Sequence, residues 1–295
     1  MLNRRILRIK AFKVLYSYAE NPSMDLKEAQ RQLRLSCEAT RDLYLFLLAL
    51  VRPLTEEAAA RIEAARTKFN PTEEERNPNL RFVRNRIAPL LSEDPDFSKI
   101  VSRKKLSWDQ YDAFLRKLYE SVRSKDWFKA YLESDDDSLA ADAALFTRIF
   151  EEELEDNADL EAILEDMSIY WNDDLAYALT WCCHAMDDFA RGRRWRLPEL
   201  VPAGDSFAED LVAAAFAGFG RYSAMVAESV DKWDKDRLFT TDLALIVTGI
   251  AEAERFKDIP ARVTINEYVE ISKYYGTPKS RSFVNGLLDK LIKQL

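Results

Sequence analysis

The sequence has little glycine and little histidine, and each shortage excludes a class of site. Glycine accounts for 7 of the 295 residues, against an average usage of about 7%, and no glycine precedes residue 192. Phosphate-binding loops and dinucleotide fingerprints need glycine at fixed positions, so neither can lie in residues 1–191. The single histidine, His184, excludes metal sites and catalytic dyads that need two imidazoles.

Cysteine and long apolar runs are also scarce. The three cysteines, Cys37, Cys182 and Cys183, show neither the CxxC spacing of metal sites nor an even disulfide pattern. Together with the lack of a signal peptide pattern, this predicts a reducing, cytoplasmic compartment. The longest nearly uninterrupted apolar run, residues 43–51, is too short to span a bilayer, so we expect a soluble protein without membrane contact.

The residues that are abundant predict an all-α fold. Charged residues make up 32% of the chain, and alanine, leucine, glutamate and arginine are frequent, which favours helices over strands. The last segment has apolar residues at the helical spacing i, i+3, i+4, i+7 from Val284 onward. Capping boxes that predict helix starts occur at Thr72/Glu75, Ser107/Gln110, Ser206/Glu209 and Thr264/Glu267.

Proline and glycine positions suggest three regions. The stretch from residue 191 to residue 204 contains two prolines and two glycines, and a weaker break lies at Asn70-Pro71. We therefore predict an amino-terminal helical subdomain at residues 1–69, an inserted acidic helical region at residues 70–200 and a carboxy-terminal helical subdomain at residues 201–295.

The net charge of −8 taken as a whole argues against a nucleic-acid binder, but its distribution does not. Residues 133–166 hold fourteen acids and one arginine, a net charge of −13, which leaves +5 for the rest of the chain. This acidic segment lacks the glycine and the regular spacing of a calcium loop, so we interpret it as a solvated face.

The amino-terminal segment is basic. Residues 1–19 contain five basic residues and no acid, and Arg4, Arg5 and Arg8 share one arc of a helix. Arginine binds phosphates through paired donors, and cations are mildly unfavourable at a helix start. The pattern alone fits either a solvated helix start or a phosphate-binding surface.

No residue set supports catalysis. His184 lies in an apolar run and is interpreted as a core residue rather than a ligand, and serine and cysteine nucleophiles lack a nearby base. We predict that the protein is not an enzyme and binds no cofactor or metal.

Two motifs at the chain ends resemble one known family. The segment 258–273 reads DIPARVTINEYVEISK, and 279–290 reads KSRSFVNGLLDK. Together with the basic start and the Leu15-Tyr16 pair, they resemble the family of the bacterial transcription antitermination factor NusB. The resemblance covers residues 1–20 and 205–295 well, and residues 70–200 have no counterpart in the family.

The resemblance implies a NusB-like fold of two helical subdomains, here enlarged by the inserted region. It also implies a cytoplasmic, RNA-binding factor in ribosomal RNA transcription, which pairs with the NusE-like ribosomal protein on single-stranded boxA RNA. RNA polymerase would be reached indirectly through that complex, and a homodimer is compatible with the resemblance.

The resemblance also assigns residues by position. The expected RNA-binding residues are Arg4, Arg5, Arg8, Lys279, Ser280, Arg281 and Phe283, and the expected partner-binding residues are Tyr16 and Asp242. On local pattern alone Phe283 is equally well a core aromatic. Arginines on phosphates with an aromatic under an unstacked base would suit single-stranded RNA, and on this basis Arg8→Ala is expected to weaken RNA binding.

The chain departs from the family at three of the positions compared. Ile6 replaces one arginine of the basic cluster, Val247 replaces another arginine, and Gly249 lies within a helix. These departures and the insertion leave a second hypothesis open, namely a non-enzymatic helical scaffold that binds proteins and has lost RNA binding.

Overall fold

The computed structural model describes residues 1–230 and 238–295, and these residues form helices and loops without strands. The predicted all-α class is confirmed. The chain divides into two compact units, residues 1–38 with 200–295 and residues 39–199. No helix of the described residues is long and apolar enough to cross a membrane.

The first unit contains both ends of the chain. Its helices are α1 (Arg4–Glu20), the first part of α2 (Leu26–Leu48), α12 (Phe207–Val230), α13 (Thr240–Arg255), α14 (Ala261–Tyr275) and α15 (Ser280–Ile292). Helix α13 is central because it packs against α1, α12, α14 and α15. Its residues 244–251 are all fully buried.

Close packing explains one departure from the family pattern. A Cβ atom added at Gly249 would lie 2.8 Å from the Leu288 side chain and 3.2 Å from the Tyr268 ring. Glycine therefore lets α13 approach α14 and α15 closely at this point. Val247 is fully buried on the same helix, where an arginine would need a buried partner.

The second unit is built around aromatic side chains. After the last part of α2 come α3 (Val51–Arg66), α4 (Glu73–Arg76), α5 (Ile87–Ser92), α6 (Pro95–Lys104), α7 (Asp112–Ser124), α8 (Asp126–Glu133), α9 (Leu139–Arg148), a π-helical turn (Ile149–Leu154), α10 (Ala158–Met167) and α11 (Leu175–Ala190). Phe46 stacks on Trp108 with ring centroids 4.1 Å apart, and the Trp108 Nε1–H donates to the Phe46 carbonyl at 2.8 Å.

The observed units differ from the predicted regions at one boundary. Residues 39–69 belong to the unit that contains the predicted insertion, because α3 packs on α5 and α7. The predicted boundary at 69/70 therefore falls inside a compact unit, whereas the one at 200/201 lies one residue from the observed division.

The capping predictions had mixed outcomes. The box at Thr72/Glu75 is present and starts α4, and α12 begins at Phe207, directly after Ser206. The predictions at Ser107 and Thr264 were wrong, because α7 begins at Asp112 and α14 already begins at Ala261.

Candidate nucleic-acid interface

Helix α1 separates the three amino-terminal arginines. The Asn3 side chain caps the helix by accepting a hydrogen bond from the Ile6 N–H at 3.0 Å. Arg4 and Arg5 lie in the first turn with about half of each side chain exposed, whereas the Arg8 side chain is 5% exposed.

Arg8 belongs to a buried hydrogen-bond network on α13 and α14. Its guanidinium donates two hydrogen bonds to the Glu252 carboxylate, at 2.7 and 2.8 Å. Thr264 and Tyr268 donate to the same carboxylate at 2.8 and 3.1 Å. Burial opposes the charge on Arg8, but the hydrogen bond and charge of Glu252 outweigh it and raise the Arg8 pKa.

This network does not fit the expectation that Arg8 contacts RNA directly. The Arg8 side chain is 5% exposed and bonded to the Glu252 carboxylate, which leaves little of it accessible to a phosphate. We assign Arg8 to holding α1 against α13 and α14. Two of the network residues lie in patterns that were interpreted separately: Glu252 lies in the family's helix pattern, and Thr264 lies in the motif interpreted as a cap.

Arg4 and Arg5 are bound to carboxylates at the surface. Arg5 forms two hydrogen bonds with Glu267, at 2.9 and 2.8 Å, and these lower the Glu267 pKa. Arg4 lies 3.2 Å from an Asp205 oxygen and 4.2 Å above the Phe207 ring. Exposed pairs of this kind contribute only about 0–1 kcal/mol, so a phosphate can compete for both arginines.

The start of α15 is fixed by buried polar contacts. Ser280 is 1% exposed, and its hydroxyl accepts a hydrogen bond from the Thr277 N–H at 2.8 Å. Asp242 is 2% exposed; burial raises its pKa, and a hydrogen bond from Ser280 opposes this rise. Neither residue is at the surface, so the expectations of direct RNA contact by Ser280 and of direct partner contact by Asp242 do not fit their positions.

The remaining predicted residues of α15 are accessible. Lys279 and Arg281 are exposed, and Phe283 is half-buried. The pKa of Glu270 on α14 is lowered mainly by a hydrogen bond from Lys273, and further by the charges of Arg281 and Arg5. Arg5, from the amino-terminal helix, is bonded to Glu267 on α14, and α15, which carries Arg281, packs against α14.

An exposed aromatic that the sequence analysis missed lies at the end of α14. The Tyr274 side chain is 83% exposed, so its ring is open to solvent. In the sequence, the adjacent tyrosines Tyr274 and Tyr275 before Gly276 were the feature that could have indicated an exposed aromatic at this helix end.

Tyr16, the other predicted partner-binding residue, is at the surface of α1. Its side chain is 38% exposed, and its ring lies 6.5 Å from that of Phe12. Phe12 in turn packs on Tyr275, with ring centroids 5.4 Å apart. Tyr16 is thus accessible beside a buried aromatic contact between α1 and α14.

The second unit also changes one interpretation. His184 is exposed on α11 rather than in the core, and its ring contacts the Trp181 ring edge to face at 5.2 Å. The residue before it, Cys183, is half-buried, and burial raises its pKa to about 12.

Within residues 1–230 and 238–295 no group of three His, Cys, Asp or Glu side chains could hold a metal ion.

The carboxy-terminal part of the chain is similar to known proteins. Residues 190–293 match the model of the NusB family. Proteins named transcription antitermination protein NusB are 37% identical over 84 residues in Listeria monocytogenes serotype 4b (28% of this chain, 66% of the relative) and 39% identical over 85 residues in Syntrophotalea carbinolica (29% and 54%). The chain thus spans between about half and just under two-thirds of these relatives' length.

No solved structure matches the chain. Lys279, Ser280, Arg281, Phe283 and Asp242 lie inside the family match, whereas residues 39–189, most of the second unit, lie outside it, as expected of an insertion. Residues 190–293 are therefore similar to the NusB family.

Proposed function

We propose that this protein is a non-enzymatic, RNA-binding transcription antitermination factor. It would pair with the NusE-like ribosomal protein and bind boxA-type single-stranded RNA during transcription of ribosomal RNA. The observation that carries the proposal is that Arg5 is bonded to Glu267 on α14, and that α14 packs against α15, whose start exposes Lys279 and Arg281. The NusB family match supports the same function.

The accessible residues supply both parts of a single-stranded RNA site. Arg4, Arg5, Lys279 and Arg281 would bind phosphates, with RNA displacing the surface carboxylates from Arg4 and Arg5. Phe283 and the exposed Tyr274 ring would each stack on an unstacked base, a contact worth about 1–3 kcal/mol. Arg8 and Ser280 would act by positioning α1 and α15.

The partner protein would contact the surface of α1 around the exposed Tyr16 side chain. Asp242, buried under the start of α15, would influence the partner or the RNA only through the position of Ser280. Because the net charge is −8, non-specific attraction to RNA would be weak. Tight binding would then require the partner and the correct RNA sequence, and contact with RNA polymerase would be indirect.

One observation favours the scaffold hypothesis as a second candidate. Arg4, Arg5 and Arg8 each have a carboxylate partner within the protein. If RNA does not displace the Asp205 and Glu267 carboxylates from Arg4 and Arg5, the charges of these pairs cancel and the surface suits a protein partner.

The test is a titration of fluorescein-labelled boxA-type RNA, followed by anisotropy, with and without the NusE-like protein. We expect Arg281→Ala to weaken binding and to reduce the slope of log K against log salt by about 1. Lys293→Ala removes the same charge twelve residues later, near the end of α15, and should bind as wild type. If wild type fails to bind with the partner present, the RNA function is rejected and the scaffold remains.

A further inference from the structure

An arginine-rich segment of the second unit has no role in the proposed function. Residues 191–196 read RGRRWR, so four arginines occur within six residues, and all four are exposed. Arg193 pairs with Asp188 at 2.8 Å, and Arg194 lies 3.8 Å from Asp94. In the part of the chain that the structure describes, neither Arg191 nor Arg196 forms an ion pair. We call residues 191–196 the arginine segment.

The arginine segment is held in place although residues 193–199 are not helical. Trp195 is 7% exposed; its Nε1–H donates to the Tyr44 hydroxyl at 3.0 Å, and its ring meets Phe97 edge to face at 5.0 Å. Gly192 adopts a left-handed φ of 71°, which lets the chain leave α11 sharply. The arginines therefore project from an anchored backbone, which lowers the entropic cost of binding.

A cleft with aromatic walls lies beside the arginine segment. It has a volume of about 600 Å³, and its lining includes Trp181, His184, Arg193, Arg196 and Pro198. Trp181 is half-buried and His184 exposed, with their rings in contact. We call Trp181 and His184 the aromatic pair.

We propose that the arginine segment and the aromatic pair form a second binding site for single-stranded RNA, carried by residues 39–199. The arginines would bind phosphates through paired, charge-assisted hydrogen bonds. The aromatic pair would take an unstacked base, as stacking platforms in single-strand binders do. The site does not depend on the residues of the first unit, so it can be true whether or not the proposed function is.

The composition of the site favours RNA over an acidic peptide. An acidic peptide would be held by the arginines alone, whereas here the cleft also presents two aromatic rings next to them. The acidic segment at residues 133–166, with a net charge of −13, would repel RNA elsewhere on this unit. Binding on this unit would therefore concentrate at the arginine segment.

The first experiment uses the full-length chain and a fluorescein-labelled, mixed-sequence single-stranded RNA without a boxA element. The variant R191E/R196E reverses the two unpaired arginines, and the control R103E/R116E makes the same charge change at two other exposed positions of the unit. We expect R191E/R196E to lose affinity and to reduce the salt slope by about 2 relative to the control. Equal affinities for the two variants would overturn the proposal.

The second experiment tests the aromatic part. Trp181→Leu should lower affinity about 5- to 150-fold with an unchanged salt slope, whereas Trp127→Leu, at another half-buried tryptophan of the same unit, should not. Circular dichroism melts of each variant establish that it is folded. If the arginine variant loses binding but Trp181→Leu does not, the segment binds anions without bases and the RNA assignment is wrong.

A third measurement separates this site from the one in the first unit. Ultraviolet crosslinking followed by mass spectrometry should place RNA on peptides from residues 177–196, and these crosslinks should persist in an R4E/R5E variant. Loss of boxA binding in R4E/R5E with crosslinks at 177–196 retained would show two separate sites. Absence of crosslinks at 177–196 in wild type would reject the second site and leave the proposed function untouched.

Discussion

The amino-terminal arginines and the arginine segment carry similar charge in different backbones. On α1, Arg8 lies one turn after Arg4 on the same arc and is buried, while Arg4 and Arg5, in the first turn, stay at the surface. In the arginine segment only Trp195 is buried, and the four arginines around it are exposed. A buried arginine requires a matched carboxylate, because an uncompensated buried charge is costly. The difference shows that an arginine cluster in a sequence can combine buried, structural residues with exposed ones, which only the tertiary structure separates.

The largest expected effect comes from breaking the buried network. Arg8→Ala leaves the Glu252 carboxylate buried without its cation, so the free energy of unfolding should fall by about 3–5 kcal/mol. Urea denaturation measures this loss. The double variant Arg8→Met with Glu252→Gln removes both charges and should recover part of it. If Arg8→Ala is as stable as wild type but binds RNA poorly, Arg8 contacts RNA, and its assignment as a structural residue is wrong.

A smaller loss of stability is expected at Trp195, the buried residue that holds the arginine segment in place. Trp195→Phe keeps most of the ring but removes the hydrogen bond to Tyr44, so stability should fall by about 1–2 kcal/mol. Affinity for mixed-sequence RNA should fall as well, because the arginines lose their fixed positions. Arg196→Gln, next to it and exposed, should leave the denaturation midpoint unchanged. If Arg196→Gln lowered the free energy of unfolding, the distinction between Trp195, which holds the segment in place, and Arg196, which does not, would be wrong.

The ion pair between Arg5 on α1 and Glu267 on α14 should give the free energy of unfolding a modest pH dependence. Arg5 lowers the Glu267 pKa below its ordinary value of 4.5, so the folded state holds this proton less tightly than the unfolded state. The resulting stabilisation, about 1 kcal/mol or less at an exposed pair, is present above pH 4.5 and is lost as pH falls below it. Denaturation of wild type and Glu267→Gln at several pH values should show the difference vanishing in acid.

The smallest change in stability is expected at Asp242, where the pH dependence should be opposite in sign to that of Glu267. Burial raises its pKa above the ordinary 3.8, so ionised Asp242 lowers stability as pH rises through the folded-state pKa. Asp242→Asn should therefore be at least as stable as wild type at neutral pH, with the advantage disappearing near pH 3.8. Thermal melts across this range measure it. A variant that is destabilised at neutral pH would mean that the carboxylate is needed for the Ser280 contact.

Much of the fold was predictable because it depends on local pattern. The apolar spacing from Val284 to Leu291 places those residues in the core of α15, as observed, and the Thr72 capping box needs only residues within one helical turn. The acidic segment and the basic start are likewise properties of the sequence alone. The motifs at the chain ends were sufficient to suggest the family.

Contacts between distant residues decided the rest. Thr264 and Glu267 have the pattern of a capping box, yet Thr264 binds Glu252 on α13, and Glu267 binds Arg5, 262 residues away in the sequence. Local propensity carries no information on such partners, because their geometry exists only after the helices pack. The sequence by itself determined an all-α chain with basic ends and an acidic segment. The tertiary structure alone decided which arginines are buried and which are exposed, because burial depends on residues that are distant in the sequence.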